Sequence, residues 1–144
     1  MTYIHETAVV GKNCDFAEGV KIGPNCVIGD NVTVGIDTSF IANVCVADDV
    51  KIGSNNEFFP SSVIVGRPEI LGWGSDAEYG GLVIGDNNVF REQVTVHPSM
   101  HKGTDTEIGN NNLLMIGVHI GHDCILGNEI VMSNYCQIAG HCDI

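Results

Sequence analysis

The sequence predicts an all-β parallel solenoid of six-residue units, and three observations carry that reading. An apolar residue recurs at every sixth position from Ile4: Ile4, Val10, Phe16, Ile22, Ile28, Val34, Phe40, Val46, Ile52, Phe58 and Ile64. A small residue often follows, as at Gly11, Ala17, Gly23, Gly29, Gly35, Ala47 and Gly53. The fifth position of each hexad is usually small or β-branched, as at Ala8, Val20, Val32, Val44 and Val50. No α-helix supports a period of six, and a two-sided sheet alternates at two and needs hairpin turns. Each hexad is then one short strand plus a corner. Three hexads close a triangular coil, and stacked coils bury a column of Ile and Val with strands about 4.8 Å apart.

The units follow in order. Hexads run unbroken from Ile4 to Ile64. Their corners carry Asp30-Asn31, Asp48-Asp49 and Asn55-Asn56, and later Asp86-Asn87 and Asn110-Asn111. Asn and Asp accept the unusual backbone angles a corner demands. Residues 65–83 form a first excursion that shifts the phase by two and holds the sole tryptophan, Trp73. The pattern resumes at Ile84, Phe90 and Val96. Residues 97–107 form a second excursion that keeps the phase but puts Lys102 at the apolar position. Hexads then continue through Ile108, Leu114, Ile120, Leu126, Met132, Ile138 and Ile144. Residues 1–144 are read as a single domain. Loops thrown out of a regular scaffold are where function concentrates.

Composition narrows the function classes. Apolar residues make up 44% and charged residues 17%, enough for a sizeable core. A formal charge of −12 argues against nucleic acid and anionic membrane surfaces as partners. No segment approaches the ~20 apolar residues of a membrane span, so no membrane insertion is expected. The start, MTYIHETAVVGKN, lacks the basic and apolar regions of a secretion signal, and a cytoplasmic location is the expectation. Cys14, Cys26, Cys124, Cys136 and Cys142 all occupy fifth hexad positions and read as small interior fillers. Cys45 is off that register and is also read as structural.

Five of the six histidines remain to be explained. Counted in eighteen-residue coils from Ile84, His97 falls at offset 13, and His101 and His119 share offset 17. On the same count His122 and His141 fall at offsets 2 and 3. They should gather along one edge of the prism on successive layers, pointing outward or into a cleft. His5 lies at the cap and is read as structural. An outward neutral imidazole suits general-base work, because its pKa lies near working pH. Asp123, following His122, could orient such a base and stabilise its imidazolium. A backbone N–H near Gly140 would serve a developing oxyanion. The same edge also admits a metal reading, with His97, His119 and His122 as zinc ligands. The three-residue spacing of His119 and His122, and the Asp that follows, do not resemble the trimeric β-helical carbonic anhydrases.

Three segments carry a further resemblance: FREQVTVHP (90–98), NNLLMIGVHIGHDCILGN (111–128) and QIAGH (137–141). With IHETAVVGKN and IGPNCVIGDNV in the early coils, the chain resembles the acyl-[acyl carrier protein]–UDP-N-acetylglucosamine O-acyltransferases of lipid A synthesis. These are hexapeptide-repeat proteins, and the resemblance implies a left-handed parallel β-helix with two loop excursions. It implies transfer of an acyl or hydroxyacyl chain from acyl carrier protein to a UDP-amino sugar. It implies a homotrimer with active sites at subunit interfaces, and no metal or other cofactor in the chemistry. His122 matches the family's general base, Asp123 its carboxylate neighbour and Gly140 its oxyanion-stabilising amide. His97, His119 and His141 match histidines lining the substrate cleft. The family's Asp-x-Lys-Tyr pattern reads Asp76-Ala77-Glu78-Tyr79 here. Asp76 thus keeps a substrate-binding position while Glu78 stands in place of the lysine. The family continues for further coils and a helical domain, so this chain is expected to be a fragment or to be covered at that end. Two alternatives stay open: a related sugar-nucleotide acyl- or acetyltransferase, and a non-catalytic trimeric β-helix.

Overall fold

The computed structural model describes residues 1–64, 66–74 and 76–144. The chain visits three parallel sheets in rotation, and they form the faces of a three-sided prism. The first sheet begins with Tyr3–Ile4, Lys21–Ile22 and Ser39–Phe40, the second with Val9–Val10, Val27–Ile28 and Cys45–Val46. The third begins with Asp15–Phe16, Thr33–Val34 and Lys51–Ile52. Among the described residues, the two larger sheets have seven strands and the third has six. No helix occurs among the described residues, so none there is long and apolar enough to cross a membrane.

From Val10 to Ile138 each period-six apolar residue is the last residue of a short strand and points inward. From Ile22 to Met132 these side chains are at most 5% exposed. Fifth-position Val20, Val32, Val44, Val94 and Val118 fill the space between them. In-register stacking is visible in the column Phe40–Phe58–Phe90, whose ring centroids are 4.8 and 4.5 Å apart and nearly parallel. That spacing is the strand separation itself. All six cysteines are free. Cys26 and Cys124 are buried, while Cys14, Cys136 and Cys142 pack half-buried beside the core.

Corner chemistry explains the recurring Asn and Asp. The fourth hexad position is left-handed at most corners, with φ of 53–65° at the non-glycine residues from Asn13 and Asn25 to Asp123 and His141. Asn and Asp tolerate that region better than other chiral residues. At the third position, side-chain oxygens cap the N–H of the preceding coil. Asp48 Oδ1 accepts from Asp30 N–H at 2.7 Å, and Asn110 Oδ1 accepts from Asp86 N–H at 2.7 Å.

The fifth position holds a feature that the small-or-branched expectation lacks. Asn56, Asn88 and Asn112 are buried there. Each amide donates to a glycine carbonyl of the next coil, and each side-chain oxygen accepts a backbone N–H. The ladder satisfies every polar group it buries, which makes the burial tolerable.

The excursions end earlier than their phase predicts. Gly81–Ile84 and Asp105–Ile108 are four-residue strands paired along their full length, so residues 81–83 and 105–107 belong to the third sheet. Ile84 pairs with Ile108, 24 residues on, whereas a regular coil takes 18. Lys102 therefore does not replace a core residue. It lies exposed on inserted chain, and the core column runs past it from Ile84 to Ile108.

Candidate active site

The site grows from the corner that ends the second sheet. Thr95–Val96, His119–Ile120 and Gln137–Ile138 are in-register neighbours there. Val96 and Ile120 are sealed in the core, so Thr95, His119 and Gln137 face outward. Past the strands, His97 N–H donates to Ile120 O at 3.0 Å and Gly121 N–H to Ile138 O at 2.9 Å. The corner then holds His122 and Asp123 on one coil and Gly140 and His141 on the next. His141 N–H donates to His122 O at 3.0 Å.

The eighteen-residue count misplaces these histidines, because the second excursion adds chain to one coil. His119 lies directly over Thr95 rather than at the offset of His101. The gathering on one edge holds, in a narrower arc than counted. His101 sits in the excursion, exposed, with its ring 6.2 Å from that of His141. His5 is half-buried at the first coil, its Nδ1 3.0 Å from Thr7 Oγ1.

His122 and Asp123 meet despite the flat-strand rule that neighbours diverge. The left-handed φ of 57° at Asp123 turns its carboxylate back toward the preceding ring. His122 Nδ1 lies 2.7 Å from Asp123 Oδ2, and the two side chains are only 12% and 11% exposed. Met100 N–H donates to the same oxygen at 3.0 Å, while Ser99 Oγ–H donates to Oδ1. Ser99 is fully buried and also contacts Thr104 Oγ1 at 2.7 Å. Burial alone would raise the Asp123 pKa. The hydrogen bonds from Ser99, His122 and Met100 and the nearby His141 outweigh it and hold the carboxyl below its ordinary value. An ionised Asp123 takes the Nδ1–H of His122, which leaves the Nε2 lone pair free. That nitrogen faces Gly140: a Cβ there would lie 2.5 Å from it. Among the described residues, the Gly140 N–H donates to no acceptor.

His97 and His119 form a second pair beside the first. Their rings meet edge to face at 4.9 Å, as do those of His122 and His141. His119 Nδ1 contacts Thr95 Oγ1 at 2.8 Å. Burial pushes both pKa values down, and at each the charge of Glu69 partly opposes this. A neighbouring imidazole adds to the depression at both: His119 and His122 at His97, and His122 at His119. Glu69, His97, His119, His122, Gln137 and Gly140 line a pocket of about 320 Å³. A recess of about 380 Å³ adjoins it, walled by Arg67, Trp73, Glu69 and His97. Among the described residues, Trp73 Nε1 and His97 Nδ1 are buried without hydrogen-bond partners.

The zinc grouping His97–His119–His122 does not assemble. Among the described residues, two clusters have ligand-type atoms within 4.8 Å of one another: Glu69 with His97 and His119, and His122 with Asp123 and His141. His122 is committed to Asp123. Asp76 is exposed in the first excursion and is not among the described residues lining the His122 pocket. Glu78 is paired with Lys102 at 2.7 Å, so the negative charge at the family's lysine position is countered from the second excursion. Ser99, Thr106 and Glu69 are site residues that sequence reasoning missed. Thr106 Oγ1 accepts the Asp123 N–H at 2.8 Å. All three lie in or just after an excursion, where the period carries no positional information.

This geometry can be set beside known proteins. The family described as bacterial transferase hexapeptide (six repeats) matches residues 1–36. The acyl-[acyl-carrier-protein]–UDP-N-acetylglucosamine O-acyltransferase of Thermodesulfovibrio yellowstonii is 39% identical over 145 residues, covering 100% of this chain and 55% of that protein. The UDP-N-acetylglucosamine acyltransferase structure of Francisella novicida superimposes with a TM-score of 0.92 at 40% identity, over 97% of this chain and 51% of that one. The chain is a hexapeptide-repeat left-handed β-helix, similar along its whole length to these acyltransferases. The Moraxella catarrhalis enzyme gives the same TM-score, 0.92, at 37% identity, over 98% of this chain and 55% of that one. The chain thus spans about half the length of the relatives it matches.

Proposed function

We propose that this β-helix carries the catalytic edge of an acyltransferase that moves an acyl chain from acyl carrier protein to the sugar of UDP-N-acetylglucosamine. The observation that supports it is the His122–Asp123 pair, with Nε2 of His122 free and aimed at Gly140 in a pocket. His122 Nε2 takes the proton from the acceptor hydroxyl as that oxygen attacks the thioester carbonyl. Asp123 keeps Nδ1 protonated and stabilises the imidazolium, while Ser99 and Met100 keep Asp123 in place. The Gly140 N–H donates to the tetrahedral oxyanion. Collapse expels the carrier thiolate, which takes the proton back from His122. No metal or other cofactor has a step in this scheme.

His97, His119, His141 and Asp76 are assigned to substrate binding. A polar substrate group in the cleft would satisfy the buried Trp73 Nε1 and His97 Nδ1 atoms. The assembly is proposed as a cytoplasmic homotrimer. Exposed Val9 and Val27, on the same sheet as His119, supply apolar surface for a neighbouring subunit.

The test incubates the chain with acyl carrier protein thioesters of several lengths and UDP-N-acetylglucosamine, reading acylated nucleotide by mass spectrometry. The wild type should give product, and His122→Ala should lose at least ~100-fold of the rate while keeping its β-rich circular dichroism and trimeric sedimentation. Product at an unchanged rate in His122→Ala removes the base assignment. Transfer from coenzyme A thioesters alone favours a related acetyltransferase, and no transfer from any donor favours a non-catalytic β-helix.

A further inference from the structure

We infer that Glu69, His97 and His119 form a binding site for one divalent ion of the zinc type, separate from the His122–Asp123 pair. One ligand-type atom from each residue lies within 4.8 Å of the others. His119 Nε2 is 3.9 Å from Glu69 Oε2. Zinc holds imidazole nitrogen and carboxylate oxygen about 2.0–2.2 Å away, so the ligand atoms must approach one another slightly. Glu69 can supply that movement, because its side chain is 76% exposed on an excursion while the two rings sit on the rigid prism.

Three further features suit an ion. Thr95 Oγ1 at 2.8 Å from His119 Nδ1 fixes the ring and leaves Nε2 as the ligand, the outer-sphere arrangement that metal-binding histidines use. Among the described residues, His97 Nδ1 has no hydrogen-bond partner, so no protein group competes for that atom. The three residues line the same pocket, which leaves a fourth position open to water. Two imidazoles and one carboxylate favour zinc, cobalt or nickel over magnesium or calcium.

The neighbouring cluster of His122, Asp123 and His141 is the poorer host. Both Asp123 oxygens already accept hydrogen bonds, from Ser99, Met100 and His122. An ion there would have to displace them. An ion on Glu69, His97 and His119 would occupy the cleft beside His122 and block substrate entry. That inhibitory consequence rests on the acyltransferase reading, whereas the binding itself does not.

Metal-free chain is titrated with zinc chloride by calorimetry and with cobalt chloride by visible absorption, without substrate. The expected result is one ion per chain, with tetrahedral or five-coordinate cobalt bands. Glu69→Gln and His119→Ala should each weaken binding about tenfold or more. His141→Asn, which suits the left-handed corner, should leave it unchanged. Absence of zinc binding overturns the inference, as does affinity insensitive to Glu69→Gln. Loss of binding in His141→Asn alone moves the ion to the other cluster and equally overturns it. Because Glu69 is exposed, its variant tests the site without disturbing the fold.

Discussion

At the residue scale, the proposed base is made by backbone geometry as much as by side-chain identity. His122 and Asp123 are adjacent in sequence, and adjacent residues on a flat strand point apart. The left-handed corner at Asp123 brings them to 2.7 Å. Gly140 completes the arrangement by having no side chain. A methyl group there would sit 2.5 Å from Cε1 and Nε2 of His122. Gly140→Ala should therefore push the ring off Asp123 and reduce transfer by about 100-fold or more. Melting temperature should change little, since the ring can swing outward. Wild-type turnover in Gly140→Ala, measured by the same mass-spectrometric assay, would mean that the ring does not work from this position. The positions of His122, Asp123 and Gly140 in one corner were legible from their motifs. Ser99 and Glu69 were not, because each acts from an excursion whose path no periodic pattern specifies.

At the scale of the elements, most strands contribute only two residues and almost no internal stability. The coil holds together through repeated contacts between layers. The buried Asn ladder is the clearest case. Asn88 donates to Gly109 O at 2.8 Å and accepts the Asn112 N–H at 2.9 Å. Asn88→Ala leaves that carbonyl and that N–H buried without partners, along with a small cavity. The expected cost is about 2–4 kcal/mol, read from the urea unfolding midpoint. A change below ~0.5 kcal/mol would mean that water or a shifted backbone replaces the ladder. The period-six rule makes these positions interior but expects small or branched side chains there, and the Asn55-Asn56 pair marks Asn56 as a corner residue, whereas it is buried. An amide fits because its flat, two-ended hydrogen bonding matches the spacing between coils. The excursions follow the same logic: they leave the prism, yet return early enough for Gly81–Ile84 and Asp105–Ile108 to pair over four residues.

At the scale of the whole molecule, a prism of stacked coils concentrates titratable groups on one edge, and stability should follow pH accordingly. Burial lowers the pKa of His97 and His119 in the folded state. The unfolded chain then binds protons more readily than the folded one near the ordinary imidazole value of about 6.5. Stability from these groups is present above that value and is lost as pH falls through it. Asp123 acts in the same direction at lower pH, its depressed carboxyl losing its contribution as acid protonates it. The urea midpoint should drop between pH 7.5 and 5.5, and the double variant His97→Gln, His119→Gln should flatten that drop. An equal drop in the double variant would place the acid sensitivity elsewhere.

The sequence alone determined the solenoid, its inward column, its corners and the edge that bears the histidines. Periodicity is a local property, and one misplaced hexad would expose apolar residues along a whole face. Only the tertiary structure decided what the edge can do. It set the length of the second excursion, which brings His119 over Thr95 rather than beside His101. It turned Asp123 toward His122, placed Ser99 beneath it and brought Glu69 to His97 and His119. Those contacts join residues far apart in the chain through loops with no repeat, and loop paths are fixed by what they pack against.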